Sequence, residues 1–183
     1  MTRATVMALV MIWIPATAVA QSPAEVIEAA LAQSLYPIEG SAMIVDWSPD
    51  HSYEVVREGD NGFVCYDRSD ERDRAPFAAQ CTNEGNLERV AQNRRFRAET
   101  DDTAGENARI REAEEAGTRV LPVYGSIWFR MDGADAESAL LHATIAVPGA
   151  TTESLGLPDN PNAGGVWLMS GGTSAAHLMV PGR

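Results

Sequence analysis

SIWFRMDG (residues 126–133) and HATIAVPG (residues 142–149) form the stretch of sequence that decides the fold. The pattern returns near the C-terminus as GVWLMSGG (residues 165–172) and HLMVPG (residues 177–182). In both copies a tryptophan-containing strand leads to a glycine turn, and a histidine opens a second strand that stops at Val-Pro-Gly. This pattern predicts two similar β-hairpins, which are either a true duplication or two strands with the same requirements.

The second strand of each hairpin begins with a histidine, His142 or His177. Alternation along a strand places His177 on the same face as Met179, and His142 on the same face as Thr144. A buried histidine is most often satisfied by one or two hydrogen bonds, so a structural role is the simplest interpretation of each.

Two chemical functions compete with that interpretation. Imidazole and thioether ligands suit copper, so His142, His177 and Met179 are candidate ligands for copper or another transition metal. Alternatively, His177 and the hydroxyl of Ser174 or Thr173 form a hydrolytic pair, which also needs an orienting carboxylate and an oxyanion hole.

GTSAA (residues 172–176) is similar to the loop that carries the serine of subtilisin-type proteases. In that family the serine begins a long buried helix, whereas Pro181 follows Ser174 closely here. The sequence also has no matching aspartate or histidine motif. We therefore do not expect a subtilisin mechanism, and the segment is interpreted as a glycine-rich turn.

NGFVC (residues 61–65), a second cysteine a short loop later and the closing GGVWLMSGGTSAAHLMVP (residues 164–181) occur together. This combination resembles a family of uncharacterised exported bacterial proteins with an H-x-x-I-x-V-P strand. The resemblance implies export and a shared fold, and it implies no chemistry. The chain departs from the family pattern at Leu141 and Thr144 and in its longer 83–117 segment.

The first twenty residues have the features of a signal peptide. Arg3 precedes the apolar run VMALVMIWI (residues 6–14), and Ala-Val-Ala at residues 18–20 suits a signal peptidase. The apolar run is shorter than the roughly 20 residues that span a bilayer. We expect a single domain over residues 21–183, exported to the periplasm or the extracellular space, with an uncleaved anchor as the alternative.

Cys65 and Cys81 are the only cysteines. In an oxidising compartment such a pair is normally a disulfide, and a redox-active pair more often has Cys-x-x-Cys spacing. We therefore predict a structural disulfide between them.

The remaining segments predict one helix, further strands and a helical insertion. SPAEVIEAALAQSLYP (residues 22–37) has a capping box and an apolar stripe, and so predicts an N-terminal helix. Residues 41–47 suggest a strand, and residues 52–66 suggest a hairpin around the turn at residues 59–62. Residues 83–117 predict an acidic insertion of two surface helices, at about 84–98 and 106–116.

Charge patterning narrows the classes of function. The formal net charge is −12, which argues against nucleic acids and anionic membranes as partners. All fourteen basic residues are arginine, so Schiff-base chemistry and a phosphate-binding lysine are excluded. The charged run over residues 67–80 lacks the ligand spacing of a calcium loop and is interpreted as a solvated loop held by the disulfide.

The sequence as a whole predicts an α+β fold, with an N-terminal helix and an antiparallel sheet of about six strands containing the two hairpins. The favoured function is non-catalytic binding of a small molecule or a protein partner, without a cofactor. The ligand is expected in an apolar cleft near Trp128 and Trp167, beside His142 and His177. A metal-binding protein is the main alternative, and a hydrolase is the third.

Overall fold

The computed structural model describes Ser22 and residues 41–180, so the predicted signal peptide and all but the first residue of the predicted N-terminal helix lie outside the described residues. The described chain contains helices and one eight-stranded sheet, which confirms the α+β class. The strands are β1 (Met43–Trp47), β2 (Tyr53–Arg57), β3 (Phe63–Asp67), β4 (Phe77–Asn83), β5 (Ile127–Gly133), β6 (Leu140–Ala146), β7 (Trp167–Met169) and β8 (His177–Met179).

The sheet order is β2-β1-β3-β4-β5-β6-β8-β7. The expectation of about six strands was too low, in part because β4 lies at the end of a segment interpreted as a loop. Neighbouring strands are antiparallel except β1 and β3, which run parallel. The sheet is therefore mixed rather than antiparallel.

The prediction of a hairpin over residues 52–66 is wrong. β2 pairs with β1, and the chain then crosses the start of β1 so that β3 lies on its other side. Gly59 permits this crossing, because a Cβ atom there would lie 2.1 Å from the backbone nitrogen of Met43. The N–H of Asp60 fixes the crossing segment by donating to the carbonyl of Ser41 at 2.9 Å.

The two predicted C-terminal hairpins are present. β5 pairs with β6, β7 pairs with β8, and β8 also pairs with β6. The hairpins therefore lie side by side at one end of the sheet.

One face of the sheet is apolar. It carries a buried cluster that we call the apolar face: Ala42, Ile44, Cys65, Phe77, Ala79, Cys81, Phe129 and Met131. Cys65 and Cys81 lie directly opposite each other on β3 and β4 and form the predicted disulfide. The bond indicates an oxidising environment outside the cytoplasm.

Helix α1 (Leu87–Ala98) covers part of the other face, where Leu87 and Val90 join a second buried cluster. Helix α2 (Thr103–Glu115) follows, and helix α3 (Thr152–Leu155) is short. The two helices predicted within residues 83–117 are thus present, but α1 is not a solvated surface element. Among the described helices, none has the length and apolarity needed to cross a membrane.

Candidate functional site

The sheet face beneath α1 continues into a cleft of about 300 Å³. Arg130 pairs with His142 between β5 and β6, and Ala146 pairs with His177 between β6 and β8. Opposed residues of antiparallel strands share a face, and residues two apart do too. Both histidines therefore lie on the floor of this cleft, and α1 and the β3–β4 loop contribute its wall.

The lining of the cleft is strongly basic, although the whole chain is acidic. Glu71 is the one carboxylate among its described lining residues. Six arginines also line the cavity, which we call the arginine cleft: Arg68, Arg74, Arg89, Arg94, Arg97 and Arg130.

Four of these guanidinium groups surround the carboxylate of Glu71. Arg68 approaches both oxygens, with its Nη2 at 2.6 Å from Oε2. Arg94 donates to Oε1 at 2.9 Å, and Arg97 donates to Oε2. Arg74 is more distant, at 3.5 Å from Oε2. Arg94 also pairs with Asp70 and Arg97 with Glu106, so the four guanidinium groups share three carboxylates.

Glu71 is ionised in this setting. Burial alone would raise the pKa of its carboxyl group, but the hydrogen bond and charge of Arg68, with the charges of Arg97 and Arg94, outweigh burial and hold the pKa below its usual value. The side chain is only 5% exposed. The interpretation of residues 67–80 as a solvated loop holds for Asp70 and Asp73, whose side chains are 63% and 76% exposed. It is wrong for Glu71, which pairs with Arg94 and Arg97 of α1.

Arg89 has a different environment, because no carboxylate contacts its guanidinium group in the described structure. Its partners are the carbonyl of Val120 and the hydroxyl and carbonyl of Ser174. Burial, followed by the charge of Arg119, lowers the pKa of Arg89 to about 9, against the opposing effect of Glu114. Arg89 is thus protonated at neutral pH but incompletely compensated.

Arg130 and His142 lie side by side on the cleft floor. The Nε atom of Arg130 lies 2.5 Å from Oδ2 of Asp132. The two groups form an ion pair, but their geometry is not that of a hydrogen bond. Burial lowers the pKa of His142, and the charges of Arg130 and then His177 lower it further, while Asp132 opposes them. Added positive charge is therefore disfavoured on this floor.

The two tryptophans proposed as ligand contacts lie in different cavities. Trp128 lines the arginine cleft, whereas Trp167 lines a separate groove of about 510 Å³. The groove lies on β7, at the edge of the sheet. The structure therefore does not bring Trp128 and Trp167 together in one apolar cleft, because strands β6 and β8 lie between β5 and β7.

The candidate metal ligands His142, His177 and Met179 share one face of the sheet. Met179 pairs with Thr144, on the same face as His142 and His177. Within the described residues, no group of three or more histidine, cysteine, aspartate or glutamate side chains is placed to hold a metal ion.

The candidate nucleophiles bond to other groups. The Ser174 hydroxyl accepts from Arg89, and the Thr173 hydroxyl donates to the carbonyl of Ser170 at 2.8 Å. Nδ1 of His177 lies 2.7 Å from the carbonyl oxygen of Ala175. In the described part of the chain, neither hydroxyl bonds to a histidine.

The sequence interpretation missed the arginines that line the cleft. They come from the β3–β4 loop, α1 and β5, and they are distant in sequence. One signal was available: Arg94, Arg95 and Arg97 follow Glu71 on a helix with few large apolar residues. A charged helix face beside a charged loop is consistent with an internal ion-pair cluster as well as with a solvated surface.

The chain matches no known family model, no curated protein and no solved structure at a significant level.

Proposed function

We propose that the protein is a non-catalytic binding protein that holds a small oxyanion, a phosphate, sulfate or carboxylate group, in the arginine cleft. One observation carries the proposal: six arginines and two histidines line a cavity to which the described chain contributes a single carboxylate. Arginine is the side chain best suited to such ligands, because its planar donors match the geometry of carboxylate and phosphate oxygens.

The charges within the cleft support an anionic ligand. Glu71 pairs with all four arginines of the cluster formed by Arg68, Arg74, Arg94 and Arg97. Asp70 on Arg94 and Glu106 on Arg97 compensate it further. Arg89, by contrast, contacts only uncharged oxygens. A bound anion would offset charge that the protein itself leaves uncompensated, and such charge-assisted hydrogen bonds are the stronger class.

The protein's setting is consistent with a binding role outside the cytoplasm. The disulfide supports an oxidising compartment. The finer assignment to the periplasm or the extracellular space rests on the predicted signal peptide.

Isothermal titration calorimetry with sodium sulfate and sodium phosphate, at constant ionic strength, tests the proposal. Wild-type protein should bind at least one of these anions saturably. The Arg130→Gln variant removes one cleft charge from a side chain that is 43% exposed, so folding should persist. A lost charge-assisted hydrogen bond of about 1.5–3 kcal/mol corresponds to roughly tenfold to hundredfold weaker binding.

The matched control is Arg109→Gln, which removes the same charge from the exposed surface of α2. Arg109 pairs there with Glu99 and Glu112, outside the cleft. Its affinity for the anion should equal that of wild type. Absence of saturable binding, or equal weakening by both substitutions, would show that the arginine cleft is not an anion site.

A further inference from the structure

The register of the strands arranges the floor of the arginine cleft in two neighbouring rows. Gln80, Arg130 and His142 lie opposite one another on β4, β5 and β6, and we call them the polar row. Two residues away on β5 and β6, Trp128 and Thr144 lie opposite each other and form the aromatic row. Residues two apart on a strand face the same way and are about 7 Å apart. A ligand that lies along β5 therefore contacts both rows.

The polar row offers donors to an oxyanion. The Nε atom of Arg130 pairs with Asp132, but its two Nη atoms donate to no acceptor within the described part of the chain. The Arg130 side chain is also partly exposed, so these donors are accessible. Arg68 extends the row on its other side, because its Nη1 donates to Oε1 of Gln80 at 2.5 Å. The planar donors of a guanidinium group suit carboxylate, sulfonate and phosphate oxygens.

The aromatic row offers carbon instead of donors. The half-buried Trp128 side chain packs against the second buried cluster under α1 and also lines the cleft. Ala146 follows Thr144 on the same face of β6. Five of the cleft's lining residues are small or apolar: Val90, Pro122, Ala146, Ala175 and Ala176. A ligand gains binding free energy from these residues only if it brings apolar surface to them.

The polar side chains at this end of the cleft are already bonded to the protein. Arg89 donates to the carbonyl of Val120 and to the hydroxyl and carbonyl of Ser174. Nδ1 of His177 donates to the carbonyl of Ala175 at 2.7 Å. Neither side chain can turn fully toward a ligand without breaking these bonds. The two rows therefore differ in what they offer, and the donors of Arg130 are the accessible ones.

The size of the cleft leads to the same conclusion. A sulfate or phosphate ion has five heavy atoms and takes the room of roughly two or three waters, at about 30 Å³ each. The cleft has a volume of about 300 Å³, so such an ion on the polar row leaves the space over Trp128 unfilled. A cavity of this size is typical of sites for small organic molecules.

We propose that the arginine cleft selects organic oxyanions over inorganic ones. The carboxylate, sulfonate or phosphate group of the ligand lies on the polar row, and its apolar body lies on Trp128. This inference rests on the proposed function, because it assumes that the cleft is an anion site. It adds the class of ligand and names Trp128 as the residue that determines specificity.

Two sulfonates test the inference, because they share one head group and one charge and differ only in the body. Calorimetry is carried out with sodium benzenesulfonate and sodium methanesulfonate at matched ionic strength, with sulfate as the inorganic reference. Benzenesulfonate should bind about tenfold more tightly than methanesulfonate, since its ring adds buried apolar surface and an aromatic contact. In ¹⁵N-labelled protein it should also move the indole N–H resonance of Trp128 further than methanesulfonate does.

Three tryptophan variants show where the body of the ligand lies. Trp128→Leu should bring the two sulfonate affinities close together. Trp128→Phe keeps a ring on the floor, so it should retain part of the preference, and it also identifies the Trp128 resonance. Trp167→Leu is the matched control, because Trp167 lines the separate groove on β7, and its preference should equal that of wild type. Circular dichroism checks folding, and if Trp128→Leu does not fold, Trp128→Phe and the wild-type resonance decide.

The outcomes separate this inference from the proposed function. Saturable binding of sulfate or methanesulfonate without tighter binding of benzenesulfonate would overturn the selection of organic anions and leave the anion site standing. A preference that persists undiminished in folded Trp128→Leu, or that Trp167→Leu removes, would also overturn it. If none of the three anions binds saturably, both proposals fail.

Discussion

The two faces of the sheet come from the same alternating strands, but they differ in chemistry. On β4, Ala79 and Cys81 lie on the apolar face, while Gln80 between them lines the arginine cleft. On β5, Phe129 and Met131 are buried on the apolar face, while Arg130 between them lines the cleft. A register slip of one residue would exchange the two environments.

This difference shows how the molecule accommodates buried charge. Burial of apolar side chains stabilises a fold without any partner requirement, whereas a buried ion is tolerated only when it is paired. The apolar face and the second buried cluster under α1 therefore supply stability, and the rest of the opposite face can hold a concentration of arginines. Substitutions on the two faces should therefore differ in how much they lower the free energy of unfolding and in how that loss depends on pH.

The largest effect is expected from Glu71→Gln. The substitution leaves four guanidinium groups around an uncharged amide, and removing one partner of a buried ion pair costs about 3–5 kcal/mol. Urea denaturation at neutral pH measures the free energy of unfolding. Glu112→Gln, on the surface of α2 with a side chain 63% exposed, is the control and should change stability by less than about 0.5 kcal/mol. Similar values for the two variants would contradict a buried charge cluster.

Wild type and Glu71→Gln should also differ in how their stability depends on acidic pH. The pKa of Glu71 lies below its usual value in the fold, so its contribution to stability is present above the unfolded-state pKa and is lost as pH falls through the folded-state pKa. Wild type should lose stability as the pH falls below about 4.5, the usual value for this side chain. Glu71→Gln should lose less over that range, since it has no carboxyl group there to protonate.

Breaking the apolar face should cost somewhat less. The cysteines are 16 residues apart, and closing a loop of this size stabilises a fold by about 3 kcal/mol. The double variant Cys65→Ala, Cys81→Ala should lose roughly that amount in urea denaturation, with the same acid dependence as wild type. Wild type measured in a reducing agent should match it. A loss below about 1 kcal/mol would show that the disulfide is not a main source of stability.

A smaller effect is expected where the C-terminal hairpin joins the helices. The backbone N–H of Ser174 donates to Glu114 at 2.8 Å, and its hydroxyl accepts from the buried guanidinium group of Arg89. Ser174→Ala should therefore destabilise the fold by about 1 kcal/mol in urea denaturation. Thr173→Ala is the control, because the Thr173 hydroxyl makes exposed local bonds only. Equal effects would mean that Ser174 does not anchor the hairpin.

The features that sequence reasoning predicted correctly are local. The two C-terminal hairpins, the helices after Asn83 and the disulfide each depend on residues close in the chain or on residues of one distinctive type. The pairing of β2 with β1, in contrast, depends on the passage of Gly59 across the Ser41–Met43 backbone. Composition gives no sign of that contact.

The arginine cleft was missed for a related reason. Glu71 and Arg94 are 23 residues apart, and an alternating charge run has the same composition whether it faces water or another charge run. Only the packing of α1 on the sheet places the two runs against each other. His142 and His177, in contrast, were singled out from local sequence alone, because each begins the second strand of a hairpin, and both line the cleft.

The smallest effect concerns His142 and the pH dependence of binding in the arginine cleft. Burial and the charges of Arg130 and His177 lower the pKa of His142, so the free protein favours the neutral imidazole. A bound anion would favour the protonated form, and by linkage its affinity should rise as pH falls from about 8 to about 5, by at most about tenfold per pH unit for one proton. Sulfate is the suitable probe, because it does not titrate in this range, and calorimetry gives its affinity at each pH. His142→Gln keeps a polar side chain but cannot gain the proton, so its affinity should vary less with pH. The same pH dependence in both proteins would show that the anion does not act on His142.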